Sequence, residues 1–346
     1  MSDTGFPLGI YTRYARSGAS SRLRFFMYDA ALRAAGFDPR FHPFFDDGYL
    51  RGLYSGAGKS RLAALKAGMN RFFRPLEKIL YIEYEMFPGL PAGVELSRIG
   101  LRPFVLNFDD AVWVKYRKLP LLRGKFHQLA RRASGIIAAN DRVIDYFRND
   151  NPEILKVPTV IDLDKYPREV PKFPRFTVVW IGTPVTSVYL AKHAEALRCM
   201  ARAADFELLV IGAPDFPEIP GVAIRREPWS EETEAELLAR SHVGIMPLGN
   251  DEFSRGKSAY KLIQYCGAGI PAIASPVGEN LNVVLPGETG FFADRPQEWA
   301  SSLLMLQNDP WRLGAMSEAA RRRAEPFSLR RYGSEVGNFL RRMVLA

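Results

Sequence analysis

Short apolar runs and longer amphipathic segments follow one another along the chain, separated by polar turns. The apolar runs predict strands at Pro7–Tyr14, Arg40–Phe45, Lys78–Glu83, Arg102–Phe108, Gly135–Asn140 and Val157–Ile161. A second series is predicted at Arg175–Ile181, Glu207–Gly212, Gly221–Arg225, Val243–Pro247 and Ile270–Ser275. Between them, apolar residues at three- and four-residue steps predict helices. Among these are Arg22–Ala35, ending at Gly36, and Lys257–Ala268, bracketed by Gly267 and Gly269. Further helices are expected at Val188–Ala203, Glu231–Arg240 and Leu329–Leu345. Strand, helix, strand in repetition is the pattern of parallel sheets with helical crossovers, an α/β fold. Asp162–Pro174 holds Pro167, Pro171 and Pro174, a density that breaks regular structure and reads as a linker. The expected division is residues 1–165 and 166–328.

In an open parallel sheet, ligands sit beyond the carboxyl ends of the strands, where helix N-termini offer N–H groups to anions. Before and within the helix expected at 257 stand Arg255, Lys257, Ser258 and Lys261. Lys257 and Lys261 are four apart and would share a face, with Gln264 adding a donor and an acceptor. This suits a ligand with a phosphate end and a hydroxyl-rich end, such as a nucleotide sugar. The alternative is a solvated basic helix start. The turn Gly182–Ser187 opens another helix. Gly182 permits close backbone approach, and Thr186 or Ser187 can cap the helix. No GxGxxG stands there, which disfavours a dinucleotide site. Trp229 could stack on a base or pack in the core.

Arg16, Ser20 and Arg22, with Arg13, Ser21 and Arg24, crowd the loop after the first strand, as ligand contacts or as plain surface. Asp109 and Asp110 end a strand, placed for binding hydroxyls or for capping the next helix. His127 reads as a surface helix residue. The fragment SGAGKS at 55–60 has Leu53 where a phosphate loop needs its first glycine, so that reading is rejected.

The run RGKSAYKLIQYCGAGIPAIASPVGENLNVVLPGETGFF, from Arg255 to Phe292, resembles the donor-binding core of the family 4 (group 1) glycosyltransferases of the GT-B fold. The matching pattern is that of the bacterial branch, G-K-x-x-x-K-L-x-Q/E-Y. NFDDAVW resembles the D-D-A-x-W motif of the same branch, and PTVID is also similar. The resemblance implies two Rossmann-like domains facing a central cleft, with the C-terminal helix returning to the first domain. It implies retaining transfer from a nucleotide sugar, with no essential metal and no further cofactor. Asp109, Lys261 and Arg255 would then be catalytic. Gly182, Thr183, Thr186, Ser187, Trp229, Lys257, Ser258 and Gln264 would hold the donor. Arg16, Ser20, Arg22 and Asp110 would lie on the acceptor side. Two departures stand out. The family carries two glutamates eight residues apart where this chain has Gly256 and Gln264. The basic residue usual in the loop at 182 is also missing, a role left to Arg255, Lys257 and Lys261.

A length of 346 residues fits two domains, and 47% hydrophobic content can fill two cores. The net charge of +9 sits in the first half: residues 1–165 hold 26 Lys+Arg and 17 Asp+Glu, and the remainder balances at 21 and 21. Residues 51–78 are basic and amphipathic, with Leu62, Leu65, Met69, Phe72, Phe73 and Leu76 at helical spacing, and 115–132 is a second basic stretch. Such a helix suits an anionic membrane surface or, alternatively, packs its apolar face in the core. The basic stretches lack nucleic-acid-binding signatures. No apolar run reaches the roughly 20 residues of a membrane span, and no signal peptide is visible. Two cysteines, Cys199 and Cys266, form no ligand motif. A cytoplasmic enzyme, peripheral at the membrane and acting on a glycan or lipid-linked acceptor of surface polysaccharide synthesis, is the expectation. A non-catalytic nucleotide-sugar binder and a nucleotide-sugar epimerase are the alternatives.

Overall fold

The computed structural model describes residues 5–55 and 60–345. Lys59 of the basic stretch and most of the SGAGKS fragment lie outside the described residues. The chain forms two compact units. The first comprises residues 1–160, 256–258 and 329–346, and the second comprises 161–255 and 259–328.

In the first unit β1 (Phe6–Tyr14), β2 (Phe37–Phe45), β3 (Ile79–Glu83), β4 (Phe104–Phe108), β5 (Gly135–Ala138) and β6 (Ile154–Lys156) form a parallel sheet in the order β2-β1-β3-β4-β5-β6. Both faces are covered, so the central strands are apolar throughout rather than alternating. Leu80 and Ile82 enter one cluster with Phe104, Phe108 and Phe126. Ile79 and Tyr81, on the other face, join Leu8, Phe25, Phe339 and Leu340. Phe339 and Leu340 belong to the last helix, Leu329–Val344, which is part of this unit. There Arg341 donates to the carbonyl of Ala35 at 2.8 Å.

In the second unit β7 (Thr177–Ile181), β8 (Glu207–Ile211), β9 (Ala223–Glu227), β10 (Val243–Met246), β11 (Ala272–Ala274) and β12 (Gly290–Phe292) are parallel, in the order β12-β11-β10-β7-β8-β9. Trp180 and Val210 face one core cluster and Ile181, Leu209 and Ile211 the other.

Several expected boundaries shift, and the helix expected at 188–203 divides into Ser187–Lys192 and Ala194–Ala203. β6 lies at Ile154–Lys156 rather than 157–161, because Pro158 has no N–H for a ladder. The helix expected at 22–35 starts at Ala19 and breaks at Phe25, resuming at Asp29–Ala34. The helix expected from Lys257 begins only at Tyr260, because Ala259 before it is left-handed (φ 53°). A separate short helix, Glu252–Arg255, precedes it.

Candidate functional site

In the second unit Gly182, Thr183, Thr186 and Ser187 follow the carboxyl end of β7, and Trp229 follows that of β9. The Gly182 carbonyl presses on Gly212, where a Cβ would lie 2.2 Å from it, and Trp229 flanks the same glycine. Trp229 is tied by its indole N–H to Glu234 at 2.6 Å. The loop after β7 is closed by Thr186. Its hydroxyl accepts from the Thr183 N–H at 3.0 Å and lies 3.1 Å from the Thr183 carbonyl, to which it donates. Thr186 stands at the cap position, but this bond turns back into the loop. Ser187 likewise donates to Pro184 at 2.8 Å. Neither therefore caps the helix as expected.

Lys261 stands in the first turn of the helix Tyr260–Ala268, with Nζ 5.4 Å from the centre of the Trp180 ring. This places a cation at a helix N-terminus beside the Gly182 loop, where partial positive charge of the backbone adds to its own. Gln264, further along the helix, is buried, and its Nε2 has no hydrogen-bond partner among the described residues. A buried amide donor without a partner costs free energy that a ligand oxygen would recover. Arg255 is exposed and donates to Asn250 at 2.7 Å, at the end of a helix whose first amides are capped by Asp251.

Lys257 and Ser258 belong to the first unit. The Ser258 N–H donates to Asp110 at 3.3 Å, and Lys257 Nζ stands 4.0 Å from the same carboxylate. Gly256 packs so closely that a Cβ there would lie 2.3 Å from the Ala111 Cβ, and its carbonyl accepts from Asn140 at 3.2 Å. The position of the family's first glutamate therefore has no room for a side chain. Lys257 and Lys261 consequently do not share a helix face.

The first unit builds a denser polar centre at the carboxyl ends of β1, β3 and β4. Glu83 is buried and accepts from Ser20 at 2.7 Å, Ser21 at 2.5 Å and the Arg13 N–H at 2.7 Å. Ser20 is thus engaged in holding its own loop. Arg22 is buried, whereas Arg16 is exposed. Glu85, also buried, pairs with Arg13, accepts from the Tyr116 hydroxyl at 2.7 Å and receives Lys125 at 2.6 Å. Lys125 is fully buried and also pairs with Glu95 at 3.0 Å. Between the two acids Tyr84 takes the left-handed conformation (φ 59°), which costs a non-glycine residue about 1–3 kcal/mol. That turn directs its hydroxyl to Asp109. Tyr84, Glu83 and Glu85 were not singled out from sequence. The signal was present, two acids closing an apolar strand at its carboxyl end.

Burial pushes the Asp109 carboxyl up to about 8, reinforced by the neighbouring Asp110 and opposed by Arg24. At neutral pH the buried group is therefore a hydrogen-bond donor rather than a carboxylate. Its unfolded value is about 3.9. Between the two values the folded chain holds a proton that the unfolded chain lacks. The contribution of Asp109 to stability is thus complete below pH about 4 and lost as pH rises to about 8. Asp109→Asn removes this dependence. Its melting temperature relative to the parent is expected to rise steadily from pH 5 to pH 8 in thermal scans; a constant difference would refute the burial-raised proton.

The fold places the chain in a class: an α/β protein of GT-B fold, with a second unit similar to group 1 glycosyl transferases. Residues 175–309 match the family described as Glycosyl transferases group 1. A D-inositol 3-phosphate glycosyltransferase of Rhodococcus opacus is 30% identical over 156 residues, covering 40% of this chain and 34% of the relative. One from Arthrobacter is 24% identical over 283 residues, 69% and 65% of the two chains. The chain thus spans about a third and about two thirds of the length of these curated relatives. Among solved structures, HepE of Anabaena in complex with UDP-glucose superposes with a TM-score of 0.69 at 14% identity, over 97% of this chain and 99% of the other.

Proposed function

We propose that the chain is a retaining, metal-independent glycosyltransferase. It would move a sugar from a nucleotide-sugar donor to a glycan or lipid-linked acceptor in surface polysaccharide or glycoconjugate synthesis. The observation that carries the reading is the second unit's constellation of Gly182 loop, Trp229, Lys261 and the unpartnered Gln264 amide, within the region that matches the family. A diphosphate would lie against the Gly182 loop and Lys261, with Arg255 adding charge. Gln264 would bond ribose hydroxyls and Trp229 would face the base.

As the bond from the anomeric carbon to the diphosphate breaks, negative charge grows on the departing oxygen. Lys261 is a fixed cation there and the helix N-terminus a fixed partial positive charge, both stabilising that charge without reorganisation. The acceptor oxygen forms the new bond, and its proton passes to the departing diphosphate. Asp109, neutral and held by Tyr84, would donate a hydrogen bond to sugar hydroxyls, with Asp110 orienting the segment that carries Lys257. Arg16 and Ser20 would approach the acceptor.

Gly256 favours a second reading, a nucleotide-sugar binder without turnover, because the glutamate of the family is absent and cannot be accommodated. The test is incubation with UDP-, GDP- and dTDP-sugars and a panel of glycan and lipid-linked acceptors in the presence of EDTA. Product with the donor's anomeric configuration is expected. Binding without product across the panel supports the second reading. Product only when a divalent cation is restored removes the metal-independent mechanism.

A further inference from the structure

The helix Arg61–Phe73 in the first unit is mounted with its apolar side outward. At about 100° per residue, Leu62, Leu65, Met69, Phe72 and Phe73 fall on one stripe. All five are exposed, with Leu62 and Phe73 each at 76% and Leu65 at 62%. The opposite side, which meets the body of the unit, consists of Ala63, Ala64, Ala67 and Gly68 together with Arg71. Arg71 is buried and donates to the carbonyls of Met86 at 3.0 Å and Thr12 at 2.9 Å, and also to that of His42. A surface helix ordinarily buries its large apolar residues and exposes its polar ones. Here small residues and one buried guanidinium anchor the helix, and the large side chains are left to whatever lies outside.

The outward surface continues beyond the helix. The Phe72 ring is 6.0 Å from that of Phe87, the turn after Phe87 presents Leu90, and the Gly89 N–H donates to Tyr116 at 3.2 Å. Tyr116 leads into Arg117–Leu121, where Leu119 and Leu121 are exposed, the latter at 82%. The charge of both segments has a single sign. No Asp or Glu occurs from 48 to 76 or from 111 to 132, while Lys66, Arg117, Lys118 and Arg123 are exposed.

We propose that this face docks on an anionic lipid bilayer. The helix would lie in the plane of the headgroups with its apolar stripe among the acyl chains, and Leu119 and Leu121 would provide a second insertion point. The surrounding basic residues would meet anionic headgroups. A second copy of the chain is a poorer occupant, since a symmetric contact would set one acid-free basic face against another. Among the described residues no helix is long and apolar enough to cross a membrane.

Co-sedimentation of the full chain with vesicles tests this. Phosphatidylcholine vesicles carrying about 30 mol% phosphatidylglycerol are expected to bind the protein at least about tenfold better than phosphatidylcholine alone, and about 0.5 M NaCl should weaken that binding. Leu65→Ser/Phe73→Ser should reduce binding to the anionic vesicles by about tenfold or more, and Lys66→Glu/Lys118→Glu by a similar factor. All four positions are exposed, so both variants should melt like the parent. Absence of binding to anionic vesicles overturns the proposal. So does undiminished binding by Leu65→Ser/Phe73→Ser, which would reveal mere adsorption of a basic protein. Self-association in analytical ultracentrifugation that the same variant abolishes would assign the face to a second copy instead.

Discussion

Lys261→Ala is expected to lower glycosyl transfer by about a hundred- to a thousandfold, the usual consequence of removing one fixed group that stabilises charge in a transition state. The residue sits in the first turn of the helix Tyr260–Ala268, so its charge and the helix N-terminus reinforce each other. Its amine is held over the Trp180 ring, and Trp180 is buried beneath it. Losing that contact should cost about 0.5–1 kcal/mol, so the fold survives and the loss can be assigned to chemistry. Steady-state kinetics alongside a thermal melt check both halves. Most of the loss is expected in kcat, because charge on the diphosphate grows only as the sugar departs. Turnover unchanged from the parent would remove Lys261 from the reaction.

Lys125→Ala is expected to destabilise the first unit by about 3–5 kcal/mol. The amine is fully buried, 2.6 Å from Glu85 and 3.0 Å from Glu95, and it also donates to the Phe87 carbonyl at 2.7 Å. Removing it leaves the buried Glu95 without its counter-charge and Glu85 with Arg13 alone, a far greater loss than that of an exposed pair. Urea denaturation should show the midpoint falling. The double change Lys125→Met and Glu95→Gln should recover much of it, since Arg13 still neutralises Glu85 and no unpaired charge then remains. A single variant with near-parental stability would show that the three groups do not act as a buried ion cluster. Glu85 also holds Arg13 and Tyr116, so the cluster fixes the loop after β1 relative to the end of β3.

Although β12, only three residues long, was not among the expected strands, most of the strands and helices were legible in the chain because both sheets are covered on both faces. Such strands read as apolar runs, and their spacing left little choice of topology. Boundaries were less legible where one backbone dihedral decides them. Nothing in the local pattern of Lys257–Ala259 announces that Ala259 turns left-handed. Lys257 and Ser258 belong to the first unit, where they meet Asp110, a partner distant in sequence. Gly256 was visible as a departure from the family pattern, and the close approach of Ala111 explains why a glycine stands there.

The basic amphipathic segment was equally visible as a pattern. Its orientation was not, since periodicity marks a stripe without saying which side faces in. The deciding residue is Arg71, whose guanidinium bonds backbone carbonyls inside the unit. The roles of Tyr84 and the acids beside it are not legible in the chain, because they depend on a left-handed turn and on distant partners such as Arg13, Ser21, Asp109 and Lys125.

Nucleotide-sugar recognition by the second unit underlies the whole account, and thermal shift against UDP-, GDP- and dTDP-sugars tests it most directly. One of them is expected to raise the melting temperature in a concentration-dependent way, by the equivalent of about 2.7 kcal/mol at a hundredfold excess over its Kd. Lys261→Ala should blunt that rise. A melting temperature that none of these donors moves, even at saturating concentration, would contradict the account.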